Sequence, residues 1–141
     1  MNKKQKKMDS LYIGLVIRIA EMSCAKRSKV GAILVKDNNI VSFGWNGTPY
    51  GFDNNCEDEL GNTKPEVVHA EMNAYAKLAK IGNSCNGATL YMNLSPCFDC
   101  SRIILQSGTK RVVYLEEYRD KKPIEFLKKA GIKCEKFKGD G

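Results

Sequence analysis

The chain holds a single histidine, His69, and it stands in His69-Ala70-Glu71. A close pair of cysteines follows in Cys97-Phe98-Asp99-Cys100. Taken alone, a histidine is more often structural than not, and a Cys-x-x-Cys serves equally a redox centre or half of a structural metal site. Taken together, one imidazole and two thiols make a borderline-soft donor set that suits tetrahedral zinc with its fourth position open. A closed structural site needs four protein ligands, and no second histidine is present to complete one. A water on the open position would have its pKa lowered toward ~7. Glu71 lies beside the ligand histidine without being needed as a ligand, the place for a proton carrier. A dithiol oxidoreductase needs neither the His-x-Glu nor an open metal position.

These residues need elements that bring them together. Ser95 is a natural N-cap and Pro96 a natural first helical residue, which puts Cys97 and Cys100 in the first turns of one helix, on one face. There the positive end of the helix dipole lowers thiol pKa values. Val67-Val68 before His69 sets the imidazole near the start of another helix, from which both His69 and Glu71 reach beyond the helix end. The rest of the chain supplies the frame. Asp9 or Ser10 caps a first helix to about Ala25, with Leu11, Leu15, Ile19 and Met22 as its apolar face. Val30–Val35 and Ile40–Trp45 pair as a hairpin around Lys36-Asp37-Asn38-Asn39. Gly47 to Lys64 is a long polar loop. The second helix runs from near Val68 to before Gly82, followed by a strand at Thr89–Leu94, a helix at Cys97–Ser107 closed by Gly108, a strand at Arg111–Leu115, a helix at Pro123–Ala130 and a strand at Ile132–Phe137. An initial hairpin followed by β–α–β crossovers predicts an α/β protein, a three-layer α/β/α sandwich on a five-stranded mixed sheet.

Length and charge narrow the function classes. The chain has 141 residues, 43% hydrophobic and 28% charged, the size and composition of one globular domain. Its formal charge of +7 is uneven. Residues 1–7 carry four lysines and no acid, and residues 119–141 carry eight basic side chains against four acidic ones. Residues 8–118 hold eleven basic against twelve acidic, so the centre is near neutral and argues against a polynucleotide groove. Residues 1–8 read as a basic flexible tail and residues 9–141 as the one domain. The apolar run Leu11–Ile17 is broken by Arg18, which excludes a secretory signal, and no stretch approaches a membrane span. Six cysteines without a signal imply a reducing compartment, so a cytoplasmic location is expected.

His69-Ala70-Glu71-Met72-Asn73-Ala74 and Ser95-Pro96-Cys97-Phe98-Asp99-Cys100 together resemble the signature of the cytidine/deoxycytidylate deaminase superfamily, zinc enzymes that act on nucleobases. The resemblance runs from about Leu11 to Lys138. Three further stretches are similar to the deoxycytidylate deaminase branch: Ser23-Cys24-Ala25-Lys26-Arg27-Ser28-Lys29-Val30-Gly31-Ala32, Gly44-Trp45-Asn46-Gly47-Thr48-Pro49-Tyr50-Gly51 and Glu117-Tyr118-Arg119-Asp120. It implies hydrolysis of dCMP to dUMP and ammonia, with zinc on His69, Cys97 and Cys100 and Glu71 carrying protons between the attacking water, N3 and the leaving ammonia. It further implies that the Ala70 N–H holds the pyrimidine carbonyl and that Asn46 bonds the sugar or base, although Asn-Gly is also a tight-turn dipeptide. Arg27, with Lys29 second, is the candidate phosphate anchor, and Tyr118 packs on the base or sugar. Relatives with a second, structural zinc draw on cysteines near Cys24 and Cys56 plus His or Cys from the next loop. Residues 57–68 contain neither, so one zinc per chain is expected, with Cys85 and Cys134 as ordinary thiols. Homohexamers activated by dCTP and inhibited by dTTP with Mg²⁺ are also implied. The competing readings are use of dCTP, a tRNA adenosine-type deaminase, and a non-enzymatic zinc module.

Overall fold

The computed structural model describes residues 2–139. Its elements are α1 (Lys3–Ala20), β1 (Gly31–Lys36), β2 (Asn39–Trp45), α2 (Ala70–Lys80), β3 (Thr89–Leu94), α3 (Phe98–Gln106), β4 (Arg111–Glu116), α4 (Lys122–Lys129) and β5 (Lys133–Lys136). The five strands form one sheet in the order β2-β1-β3-β4-β5. β1 is antiparallel to both β2 and β3, while β3, β4 and β5 run parallel. The β1–β2 connection is a two-residue turn in which Asp37 and Asn38 both take positive φ, as the right-handed twist of a tight hairpin requires.

Alternation along the strands divides the core in two. Ile33 and Val35 of β1, Tyr91 of β3 and Val113 of β4 face α1, where they meet Tyr12, Ile13 and Val16. Ala32, Leu34, Leu90, Met92, Val112 and Tyr114 face the other way, onto Ala74 and Leu78 of α2, Ile104 of α3 and Leu127 of α4. The architecture is the three-layer α/β/α sandwich on a five-stranded mixed sheet, with one helix on one face and three on the other. No described helix is long and apolar enough to cross a membrane.

α1 departs from the sequence expectation in three ways. It begins at Lys3, capped by the Asn2 side chain, which accepts from the Gln5 N–H at 2.7 Å, so the basic segment expected to be a flexible tail is helical from its third residue. It ends at Ala20 rather than near Ala25. Its buried face is Asp9, Tyr12, Ile13, Val16 and Ala20; of the expected stripe, Leu11, Leu15 and Met22 are exposed and Ile19 alone packs, partly buried, against the core. Asp9, proposed as a cap, is instead 2% exposed and receives both terminal nitrogens of Arg111, at 2.9 and 2.6 Å, and the Tyr91 hydroxyl at 2.6 Å. Arg111 also donates to Glu135 at 2.9 Å. This network ties α1 to β3, β4 and β5.

Candidate active site

Two helix starts and one strand end build the site. Val68 exchanges both backbone hydrogen bonds with Gly47, at 2.8 and 3.1 Å, so the chain is still extended there and α2 starts two residues later than its sequence suggests. His69 is consequently the N-cap of α2, with φ −68° and ψ 154°, and Glu71 is its second residue. Two contacts dock this helix start on β2. The Asn73 side-chain amide donates to the Trp45 carbonyl at 2.8 Å, and a Cβ on Gly44 would stand 2.6 Å from the Ala70 carbonyl oxygen. Only glycine allows that approach.

At the carboxyl end of β3, Ser95 does not cap α3. Its N–H donates to the Glu116 carbonyl at 2.9 Å and its hydroxyl accepts from the Tyr118 N–H at 2.6 Å, fastening the chain after β4 to the end of β3. The cap position falls to Cys97, with φ −76° and ψ 171°, and Cys100 is the third residue of α3. That difference of two residues leaves the expected pairing intact, because the two sulfurs remain three positions apart at one helix start.

The structure brings the three expected ligands together. The Nδ1 of His69 lies 3.5 Å from the Cys97 Sγ and 3.3 Å from the Cys100 Sγ, and all three donor atoms fall within 4.8 Å of one another. Tetrahedral zinc bonded to one nitrogen and two sulfurs at usual lengths holds N and S about 3.5 Å apart, so the donor set and its spacing fit this ion. It is the only such cluster of His, Cys, Asp and Glu among the described residues. Cys24 is exposed and Cys56 buried, and they form no three-ligand group.

Electrostatics separate the two cysteines. Cys97 is held well below the usual thiol range by hydrogen bonding from Cys100, against its desolvation and with help from His69. Cys100 is pushed up by the same shared proton and by burial. His69 is raised by its bond to Cys97, partly opposed by burial. Glu71 is 3% exposed, and burial pushes its carboxyl up to about 7. A carboxyl poised near neutrality both accepts and returns a proton at little cost.

A cleft opens beside this cluster, lined by His69, Ala70, Glu71 and Cys97 and by Arg27, Ser28, Asn46, Glu57 and Tyr118, with Val30, Val67, Met92 and Leu94 as apolar wall. Every expected site residue lines this cleft except Cys100, which is buried, and Lys29, the second candidate anchor. Asn46 forms no tight turn. Its Oδ1 accepts from the Val30 N–H at 2.9 Å and its Nδ2 donates to the Ser28 carbonyl at 2.8 Å, which shapes the wall carrying Arg27. Lys29 is exposed and lies outside the lining. Sequence reading missed Glu57, which sits in the cleft with Oε2 on the backbone N–H groups of Lys26 and Arg27 at 3.0 and 3.2 Å. It also missed Asn93, which bonds the Gly31 N–H and the Lys29 carbonyl, both at 2.9 Å. Nothing local marks either residue, since their partners lie more than 25 positions away.

An α/β/α sandwich with a His/Cys/Cys cluster at two helix starts and a buried glutamate beside it defines the class of zinc-dependent nucleobase deaminases. The family model for the cytidine and deoxycytidylate deaminase zinc-binding region matches residues 6–116, and the chain belongs to that family. Among curated relatives, the deoxycytidylate deaminase of Enterobacteria phage T4 is 36% identical over 74% of this chain and 76% of its own. That of Mycobacterium phage D29 is 37% identical over 77% of this chain and 94% of its own. The crystal structure of the dCMP deaminase from the cyanophage S-TIM5, in complex with dCMP and dUMP, superposes with a TM-score of 0.89 at 44% identity, covering 96% of this chain and 98% of that one.

Proposed function

We propose that this protein hydrolyses dCMP to dUMP and ammonia, and so supplies dUMP for thymidylate synthesis. One observation carries the reading: a single cleft has the His69, Cys97, Cys100 and Glu71 cluster at one end and Arg27 on its wall, in a chain whose structural relative was captured with both dCMP and dUMP. Zinc held by His69, Cys97 and Cys100 supplies Lewis acidity that makes water a nucleophile at neutral pH. Glu71 takes one proton from the water attacking C4 and delivers it to N3; it then takes the remaining proton from the new C4 hydroxyl and passes it to the amine, so that the C4–N bond breaks, the C4 carbonyl forms and ammonia leaves. Ala70, as the first residue of α2, has an N–H without an intrahelical partner, and this donor meets the pyrimidine carbonyl. The apolar wall keeps bulk water from the base. Arg27 is the only cation lining the cleft among the described residues and takes the 5′-phosphate through its guanidinium fork. Tyr118, half exposed at the rim, covers the base or sugar.

An ammonia-release panel over cytidine, deoxycytidine, dCMP, dCTP, guanine and a tRNA anticodon stem tests this reading. dCMP is expected to be turned over. Inert dCMP alongside an active member of another class would transfer the assignment to that class. Metal analysis is expected to give about one zinc per chain. Two per chain, with one lost on changing Cys24 and Cys56 to Ser, would overturn the single-site proposal. Self-association of the chain is supported by Leu11 and Leu15, exposed on α1, with Met22 exposed just beyond its end, and a cytosolic location by its six free thiols.

A further inference from the structure

The charge that the sequence keeps at its two ends is gathered by the fold onto one face. Lys3, Lys4, Lys6 and Lys7 stand in the first two turns of α1, all exposed, with no acid in the first turn. Lysines there oppose the positive end of the helix dipole and repel one another at spacings of three and four. They weaken the helix that carries them, so its stability does not explain their place. The basic end of the chain arrives beside them. Lys6 lines one cavity with Lys136 and Lys138, over Asp9, Val113, Glu135 and Phe137. Phe137 and Met8 pack, partly buried, on the same apolar cluster, and the Phe137 N–H donates to the Tyr114 carbonyl at 2.7 Å, which holds the chain after β5 on the α1 face of the sheet. The acids here do not offset the lysines. Arg111 takes both Asp9 oxygens and Glu135, and Lys133 also reaches Glu135 at 3.5 Å. Lys3, Lys4, Lys6, Lys7, Lys136 and Lys138 are in no ion pair among the described residues. The cavity shares no lining residue with the cleft that holds Glu71.

We infer that this face binds the phosphate backbone of a nucleic-acid duplex without reading its sequence. A lysine ammonium is a point charge that contacts phosphate and carries no base readout of its own. No exposed aromatic side chain lines the cavity to stack an unpaired base, which favours a duplex over a single strand. The centres of protein interfaces are poor in lysine. A lipid surface needs apolar side chains turned outward, and Met8, Val113 and Phe137 are turned to the core instead. Leu11 and Leu15 of α1 are exposed but do not line the cavity. Because cavity and cleft share no residue, a polyanion and a free nucleotide bind without competing. The near-neutral centre of the chain keeps a polynucleotide from the cleft and not from this face.

The test measures binding of a short labelled DNA duplex of mixed sequence to the zinc-loaded protein by fluorescence anisotropy. Wild type is expected to bind with a Kd on the order of 10⁻⁶ M at about 50 mM salt. Log Kd should rise against log salt with a slope of about 3 to 5, near 0.9 for each phosphate neutralised. Changing Lys3, Lys6, Lys136 and Lys138 together to Gln should weaken binding at least about 10-fold and remove most of that slope. Changing Lys80, Lys121, Lys122 and Lys128 to Gln removes the same charge from the ends of α2 and α4, which pack on the opposite face of the sheet. That variant should stay within about 3-fold of wild type. Equal losses in the two variants overturn the inference, because net charge then accounts for the binding. So does a wild type that does not bind the duplex, or that binds phosphatidylserine vesicles or poly-glutamate more tightly. Circular dichroism and zinc content check the fold of each variant. If the first variant does not fold, acetylation of wild-type lysines decides. The duplex should protect Lys3, Lys6, Lys136 and Lys138 but not Lys80 or Lys122, and uniform or absent protection refutes the role.

Discussion

Changing Glu71 to Gln should leave zinc and dCMP bound while turnover falls by ~10²–10⁴-fold, the usual worth of a positioned proton carrier. Gln preserves the size and hydrogen bonding of a side chain that is 3% exposed at the start of α2, so the fold has little reason to respond. It removes the one carboxyl that burial holds near neutrality at the reacting end of the cleft. Ligand substitutions should behave differently. His69→Ala or Cys97→Ala removes one of three donors, so zinc content and activity should be lost together, with a drop in thermal stability because two helix starts converge on the ion. Zinc content, dCMP affinity and turnover measured on each variant give the contrast. A Glu71→Gln protein that keeps zinc, nucleotide and near-normal turnover would show that another group moves the proton. The only other carboxylate lining the cleft, Glu57, has one oxygen committed to two backbone N–H groups.

The metal cluster was legible because its residue types are scarce and closely spaced, and one histidine leaves little choice. The order of elements was legible because hydrophobic period and turn residues are local signals. What failed was whatever depended on a distant partner. On α1, two apolar stripes compete, and counting from Leu11 selects the exposed one. The buried one contains Asp9, an acid that no apolar count favours, and its partner Arg111 lies 102 residues away. Ser95 has every local mark of a cap, yet the Tyr118 N–H claims its hydroxyl. Val68 looks helical until Gly47 takes its backbone. Asn46-Gly47 has the local mark of a tight turn, yet the Asn46 amide instead holds the Val30 N–H and the Ser28 carbonyl. Glu57 sits in an acidic run that resembles any solvated loop, and only burial separates it from Asp58 and Glu59.

Asp9→Asn should destabilise the protein by about 3–5 kcal/mol, the usual consequence of breaking a buried ion pair by removing one partner. The carboxylate accepts three hydrogen bonds from Arg111 and Tyr91 and a fourth from Gln5 at 3.0 Å. Because Arg111 donates to both oxygens, an asparagine of the same shape must turn its amide N–H₂ toward one guanidinium nitrogen, setting donor against donor, and leaves the guanidinium only Glu135 for its charge. With an ordinary urea dependence, the loss shifts the midpoint by on the order of 2 M. The same network fixes the response to acid. Burial alone would raise Asp9, but the Arg111 and Tyr91 hydrogen bonds and the Arg111 charge bring its carboxyl below the usual range. Glu135 is lowered chiefly by its bond to Arg111. Folded pKa values below the unfolded ones mean stability that is complete above the unfolded pKa, about 4 for Asp and Glu, and lost as pH falls through the folded values. Wild type should therefore lose stability steeply below about pH 4, whereas Asp9→Asn, already weakened at pH 7, should lose less over the same interval. Urea midpoints of both proteins from pH 7 to pH 3 measure this. Parallel curves, or a penalty at pH 7 under about 1 kcal/mol, would mean that α1 is held to the sheet by its apolar face alone and that the Asp9–Arg111 pair contributes no net stability.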